Sequence, residues 1–341
     1  VFVTAPGRRA TDVLFRHAAD HWPAQAEASA PVFLAPDAPQ NKGVFAGTVH
    51  GYEGAGRGVA TRFRQLLESL PHHSPLFTLE QPLRWPPGDP LEAALNRLLM
   101  LDATHTARCG ARTCRWLDRD QLLEHEPYLR AVYALLSEAH YRTRPLDLRH
   151  LLDGPNLRVA VIDCGGQPVA AALIADEGQF ADRELVTAIA DGTRRPRGHL
   201  MPQLLTWQYS LEHACTQRWW RVVRIAVDST QRREGLGAHL LTWLQEQALV
   251  DQVDAVCTSF GADNAVLSFW EASGYQAAYL GHVREATSGA FSVAMVRSLT
   301  PRNRDLMALA RVAFAIALHK RTPDDPTLEA RLHPRDCPRE H

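Results

Sequence analysis

Residues 224–241 read Arg-Ile-Ala-Val-Asp-Ser-Thr-Gln-Arg-Arg-Glu-Gly-Leu-Gly-Ala-His-Leu-Leu. An apolar strand stops at Asp228, and an amphipathic helix begins just past Gly235. The chain must therefore pass from strand to helix through a turn with the spacing Arg232-x-x-Gly235-x-Gly237. Such a turn aims the backbone N–H groups of Arg233, Glu234, Gly235, Leu236, Gly237 and Ala238 into one volume at a helix N-terminus. That arrangement suits a pyrophosphate. Glycine at 235 and 237 removes the Cβ atoms that would block close approach.

A lone Gly-x-Gly also fits an ordinary strand-to-helix turn, so the downstream segment carries weight. Residues 253–260 are predicted to form a strand, and residues 264–275 a helix closed by Gly274. Together the two halves resemble the acetyl-CoA loop of the GNAT acetyltransferases, which carry a similar asparagine, an aromatic residue and a terminal Gly-Phe or Gly-Tyr where this chain has Asn264, Trp270 and Gly274-Tyr275. The resemblance implies an acetyl-CoA site made of the Arg232–Ala238 loop, Asn264, Trp270 and the main chain of Ile225, Ala226 and Val227. That strand splays from its neighbour in GNAT folds, and the N–H of Val227 is the candidate donor to the thioester carbonyl. Many GNAT enzymes place a tyrosine near the leaving sulfur. Trp270 stands at that position here; an indole N–H only donates a hydrogen bond, and core packing is its other reading.

The 341 residues suffice for two domains. No apolar run approaches the ~20 residues of a membrane span, and no signal peptide is visible. Six cysteines without Cys-x-x-Cys spacing suit a reduced cytoplasm, with neither a disulfide framework nor a metal site. The net charge of -1 excludes a uniformly basic nucleic-acid binder. Yet only Lys42 and Lys320 are lysines, so 37 − 2 = 35 of the basic residues are arginine. Codon usage in a GC-rich genome accounts for the general excess. The local clusters Arg142-Thr143-Arg144 and Arg194-Arg195-Pro196-Arg197 could instead meet phosphates.

Strands and helices alternate over residues 1–104, which predicts a mainly parallel sheet flanked by helices. Residues 105–117 are polar and are expected to be a linker. Residues 118–300 hold a hairpin at Gly165-Gly166 and the strand-loop-helix described above. Residues 301–341 are expected to give a helix over 304–318 and a polar tail.

The segments His50–Gly58, Gln81–Trp85, Ala139–Leu148, Arg194–Leu200 and Arg284–Gly289 resemble the bacterial tRNA-Met cytidine acetyltransferases. That family joins a helicase-like (RecA-like) ATPase module to a GNAT module. The resemblance implies an α/β protein with a partial parallel-sheet domain over 1–104 and a GNAT domain over 118–300. It further implies acetylation of the exocyclic amine of the wobble cytidine of elongator tRNA-Met with acetyl-CoA, assisted by ATP and Mg²⁺ in intact members. This sequence departs from the family pattern. It carries neither a Gly-x-x-x-x-Gly-Lys-Ser/Thr P-loop nor an Asp-Glu box, and it begins at Val1 inside a predicted strand, as if the native N-terminus were missing.

The resemblance places Arg84 toward a nucleotide and Arg57 toward RNA. Arg142, Arg144, Arg149, Arg194, Arg195 and Arg197 are the candidate phosphate contacts. His140, with Tyr141 beside it, is the candidate general base, because imidazole titrates near neutrality; capping of the preceding helix is its other reading. His199, Glu138, Glu234 and Glu285 are alternative bases. Two other functions stay open: a GNAT enzyme for a small-molecule or protein amine, and an inactive RNA-binding remnant.

Overall fold

The computed structural model describes residues 2–4, 76–78, 88–100, 103, 110–138, 145–284, 290–320 and 326–334. Arg57, Arg84, His140, Tyr141, Arg142, Arg144 and Glu285 lie outside the described residues. Contacts divide the chain into two units, Val1–Thr106 with Leu122–Asp153, and Ala107–Gln121 with Gly154–His341.

In the first unit, β1 (Phe2–Thr4) pairs in parallel with β2 (Leu76–Thr78). Parallel neighbours need a long crossover between them, which agrees with the expected parallel α/β pattern. Helix α1 (Pro90–Leu98) opens on a proline, and Asp89 Oδ1 accepts from Leu91 N at 2.8 Å. After α2 (Arg119–Glu124), α3 (Glu126–Glu138) is buried on all sides from Ala131 to Ser137, with Leu129 buried one turn earlier. Arg130 joins α3 to α1 through the Arg97 carbonyl at 3.1 Å. Helix α4 (Pro145–Asp153) follows.

The second unit is built on one seven-stranded sheet. Its strands are β3 (Arg112–Leu117), β4 (Leu157–Cys164), β5 (Gln167–Gly178), β6 (Arg218–Val227), β7 (Ala255–Gly261), β8 (Gln276–Arg284) and β9 (Phe291–Ser298). Their order is β3-β4-β5-β6-β7-β9-β8, and β6–β7 is the parallel pair. The β4–β5 hairpin turns on Gly165 and Gly166, at φ 58° and 79°, as a two-residue turn with both φ positive requires.

Helix α5 (Arg183–Ala190) lies between β5 and β6; the sequence reading did not anticipate it. Asp182 caps it by accepting from Glu184 N at 2.9 Å. Residues 200–216 form two helices, α6 (Leu200–Tyr209) and α7 (His213–Thr216), separated where Ser210 turns left-handed at φ 56°. Then come α8 (Leu236–Val250), α9 (Asn264–Ala272), α10 (Pro301–His319) and α11 (Pro326–Leu332).

Side chains alternate between two cores. Trp220, Val222, Val256, Val293 and Met295 face α8 and α9, while Trp219, Cys257, Ala294 and Val296 face α6, α7 and the start of α10. Among the described residues, Cys164, Cys215 and Cys257 are buried as small apolar groups. Burial pushes the Cys257 thiol well above its ordinary range and raises Cys215 as well.

Two boundaries differ from expectation. Residues 112–117 are not linker but β3, antiparallel to β4. The segment looked polar because of Arg112, Thr113 and Arg115, yet Cys114 and Trp116 alternate with them and pack on the core. The helix expected over 304–318 starts at Pro301 and is part of the second unit. Thr300 caps it, and Asn303, fully buried, donates to Gln217 Oε1 at 2.7 Å while accepting from Ser298 Oγ at 2.6 Å.

Candidate functional site

β6 and β7 pair only from Trp219↔Ala255 to Val222↔Thr258. Beyond that point β6 runs on to Val227 against β5, and β7 runs on to Gly261 against β9. The two strands part as a fork. A register shift against Leu173/Ile174 leaves Val223 as an extra residue on β6, and such a bulge bends its strand away from the neighbour. Thr258 Oγ1 donates to the Val222 carbonyl at 3.1 Å and closes the apex.

Strand geometry decides which backbone groups face the fork. Asp228 N donates to Val169 O of β5 at 3.0 Å. Amides alternate sides along a strand. Ala226, paired with Ala171, therefore turns its N–H toward β5, whereas Ile225 and Val227 turn theirs into the fork. Ala226 thus leaves the set of main-chain candidates; Ile225 and Val227 remain.

The loop after β6 stands at the open end of this fork. Asp228, 5% exposed, accepts from Thr230 N at 2.9 Å and starts a 3-10 turn over Ser229–Gln231. Arg232 folds back, its Nε donating to Val227 O at 3.3 Å. Arg233 and Gly235 then take positive φ, 69° and 81°. A left-handed arginine carries strain of about 1–2 kcal/mol, and strain of this kind collects at ligand loops. Gly235 is the N-cap of α8 with no side-chain cap bond, and a Cβ on it would meet no atom within 4 Å. The first amides of α8 therefore open onto free space, as a diphosphate requires. Gly237 serves differently: a Cβ there would stand 3.2 Å from the Phe269 ring, so its absence lets α9 pack closely.

Arg112 of β3 ties down the same loop. Its Nη2 donates to Glu234 Oε2 at 2.6 Å and to Gln231 Oε1 at 3.3 Å. A carboxylate in a turn that is to hold an anion would repel it unless neutralised, and Arg112 neutralises Glu234 in this ion pair. Arg112→Ala is expected to weaken coenzyme A binding about three- to fivefold at low salt, fading as salt screens the charges. Adding Glu234→Gln should restore the affinity. Calorimetry at two ionic strengths checks this, and a loss that Glu234→Gln fails to restore would refute the pairing.

Two further residues behave otherwise than as simple ligand contacts. Trp270 is 3% exposed and packs against Phe260, Phe269 and Tyr275, with ring centroids at 6.2, 5.3 and 4.7 Å. Its packing reading is the one the geometry supports. The Asn264 side chain accepts from Arg331 Nη1 of α11 at 2.9 Å. Arg331 also bonds Ser268 and Glu271, so α11 is clamped along α9.

On the opposite sheet face from α8 lies a cavity of about 470 Å³. Arg221 and Ser259 form part of its floor, and Ser259 is the first residue of β7 beyond the fork apex. Arg194, Arg195, His199 and Trp207 form part of its wall, and no acidic residue is among the described residues that line it. Arg221 Nε donates to Glu177 Oε1 at 2.5 Å; the Glu177 side chain is fully buried and its other oxygen accepts from Met201 N at 2.8 Å. Gln203 Nε2 donates to the carbonyls of Pro196 and His199 and so fastens the Arg-rich loop to α6.

His199 Nδ1 accepts from Gly178 N at 3.0 Å. A nitrogen that accepts carries no proton, which leaves Nε2 as the N–H donor of the ring. That geometry removes His199 from the alternative bases. Cys114 Sγ lies 3.9 Å from His239 Nε2, and burial raises its thiol, so it is not poised as a thiolate nucleophile.

The structure brings Arg194 and Arg195 to the cavity, and leaves Arg197 exposed on the same loop. Arg149 belongs to the other unit, where it faces Asp153 at 3.6 Å. The sequence reading missed Glu177, Arg221, Ser259 and Trp207. Among the described residues no group of His, Cys, Asp and Glu could hold a metal ion, and no helix is long and apolar enough to cross a membrane.

Residues 31–102 match the family model described as RNA cytidine acetyltransferase NAT10/TcmA, helicase domain. Residues 131–250 and 238–300 match GNAT acetyltransferase 2. The chain is 40% identical over 287 residues to tRNA(Met) cytidine acetyltransferase TmcA of Nitrosococcus halophilus, covering 82% of this chain and 38% of that protein. It is 39% identical over 269 residues to the protein of the same description from Haloferax volcanii, covering 77% and 35%. The chain thus spans well under half the length of these relatives. Among solved structures it is similar to the ribosomal-protein-S18-alanine N-acetyltransferase of Escherichia coli, at 16% identity and a TM-score of 0.38, over 57% of this chain and 98% of that one.

Proposed function

The chain belongs to the RNA cytidine acetyltransferase family, and from that membership we propose that it transfers an acetyl group from acetyl-CoA to the exocyclic amine of a cytidine in tRNA, the wobble cytidine of elongator tRNA-Met. The observation that carries this reading is the charge of the cavity beyond the fork. Among the described residues, Arg194 and Arg195 line it together with Arg221, whose charge is balanced by the buried Glu177, and no acidic residue does. An aliphatic amine is a cation near neutral pH, and such a cavity repels it. The exocyclic amine of cytosine is neutral, and the phosphates flanking it are attracted.

The loop and fork fit acetyl-CoA. The amides of Gly235, Leu236, Gly237 and Ala238 would hold the diphosphate, with Arg232 beside it. Ile225 and Val227 would bond the extended arm, and Val227 N–H would polarise the thioester carbonyl. Acetyl-CoA supplies, when bound, an activated acyl group.

The remaining work falls to the chain. The lone pair of the cytosine amine is delocalised into the ring, so no base is needed before attack. The nitrogen sheds its proton readily once the carbon–nitrogen bond forms, and a modest base suffices. The reading assigns that role to His140 with Tyr141 beside it. The departing sulfur takes up, as the carbon–sulfur bond breaks, the equivalent of the proton that the nitrogen sheds; the hydroxyl groups of Ser259, Tyr279 and Ser292 line the cavity and would hydrogen-bond it. With a soluble tRNA substrate, the place of action is the cytoplasm.

Incubation with labelled acetyl-CoA and total tRNA, followed by nucleoside analysis, tests the reading. Label is expected in acetylcytidine, and running the reaction with and without ATP shows whether ATP assists it. Label confined to polyamines or protein would establish the small-molecule or protein-amine reading instead. No label at all, from a chain that binds coenzyme A, would establish the inactive remnant.

A further inference from the structure

We propose that the Trp207–Arg195 pair in the cavity wall is a stacking platform that grips an unpaired nucleobase by its face. The inference rests on the acetyl-acceptor reading above and adds to it the group that holds the base. Trp207 is 44% exposed, a large apolar surface to leave in water. It is nevertheless fixed in place. The turn after α5 passes against its edge at Gly192, where φ is 74° and a Cβ would stand 2.9 Å from Nε1 and 3.3 Å from Cδ1. Any other residue at 192 would push the indole away.

That turn is itself anchored, since Thr193 Oγ1 and Arg194 N both donate to the Ala188 carbonyl, at 3.0 and 3.1 Å. Arg195 then lays its guanidinium over the ring, with Cζ 4.2 Å from the centroid. The result is a guanidinium over an indole at the wall of a cavity whose floor lies just beyond the fork.

An arginine resting on an exposed indole can be mere surface cover. Three features point to a ligand here. The pair lies inside the cavity, the loop that carries it needs a glycine to reach the indole, and Arg194 stands next to it for a phosphate. A pyrimidine laid on the guanidinium would form a third layer, since bases stack on aromatic rings and on guanidinium planes alike. A base within a helix has both faces covered and cannot do so. The platform therefore selects an unpaired or extruded base, and an aliphatic amine gains nothing from it.

The test compares two short single-stranded RNAs in fluorescence polarisation, one with a central cytidine and one with an abasic residue in its place. The unaltered chain is expected to bind the cytidine RNA on the order of tenfold more tightly. Trp207→Ala should bind both RNAs alike, at the weaker level, while Trp207→Phe keeps most of the difference. Coenzyme A binding measured on each variant serves as the folding check. Arg195→Gln, on an exposed side chain, should also shrink the difference, and it tests the platform even if Trp207→Ala fails to fold. A cytidine preference that survives in Trp207→Ala or in Arg195→Gln overturns the proposal, as does its absence from the unaltered chain. The acetyl-transfer reading stands apart. Acetylcytidine formed by Trp207→Ala at an unchanged KM for tRNA would sink the platform alone, and a cytidine preference without any acetylcytidine would sink the transfer reading alone.

Discussion

Gly235→Val is expected to give a folded chain whose affinity for coenzyme A has fallen by at least about 100-fold. Gly235 sits at φ 81° and begins α8. A side chain would have room, because no atom lies within 4 Å of a Cβ built there. The obstacle is conformational. Left-handed backbone costs an ordinary residue about 1–2 kcal/mol, and a β-branched residue is a true outlier there. The neighbouring Arg233 already carries a positive φ of 69°, so the loop has little tolerance for a second strained residue. It relieves the strain by rotating the Gly235–Leu236 peptide, and the amides that point into the open volume then point elsewhere. Hydrogen bonds to a charged group contribute about 1.5–3 kcal/mol each, so losing two of them accounts for the expected fall. The rest of α8 is held by Leu236, Leu240, Leu241 and Leu244, all buried, and far-ultraviolet dichroism should be unchanged. Gly237→Ala should do less, since it asks only that the Phe269 ring retreat by a few tenths of an ångström. Calorimetry decides. Ordinary affinity in Gly235→Val would mean that the loop does not hold the diphosphate.

The same residues show why some of the molecule is legible from its sequence and some is not. The strand, turn and first helical turn over 224–238 are local. Glycine spacing and apolar periodicity act over a few residues, and the structure keeps that segment as expected. β3 was missed because its core side is carried by just two residues, Cys114 and Trp116, among charged neighbours, and a period of two is faint over six positions. The cavity was illegible for a different reason. Its floor joins Arg221 to Glu177, 44 residues apart in the chain, and its wall joins Arg195 to Trp207 through a turn whose glycine has no meaning until the indole is placed beside it. The arginines of that loop could be counted in the sequence; that they face a cavity with no acidic residue in its described lining follows only from the register of β6 and β7 and from the unforeseen α5. Ala226 shows the finer limit. It lies between two residues whose amides enter the fork, and only the Asp228–Val169 bond shows that its own faces the other way.

Arg221→Ala is expected to destabilise the chain by about 3–5 kcal/mol, lowering the melting temperature by about 10 °C in a unit of this size. The Glu177 side chain is fully buried and that of Arg221 is 17% exposed. Removing the guanidinium leaves a carboxylate out of water with only the Met201 N–H to satisfy it, and an unpaired buried charge costs far more than the intact pair contributes. The loss should therefore be reversed by removing the charge as well. Arg221→Met with Glu177→Gln keeps an oxygen for Met201 N and fills the space with an uncharged side chain of similar length. Urea denaturation should show most of the stability restored in the double variant. If Arg221 also supplies part of the positive floor on which the acceptor rests, the restored protein will still bind tRNA more weakly than the unaltered chain, with its coenzyme A affinity intact. Recovery of stability together with recovery of tRNA affinity would mean that Arg221 is there only to neutralise Glu177, and the attraction of the cavity for a nucleotide would then have to come from Arg194 and Arg195 alone.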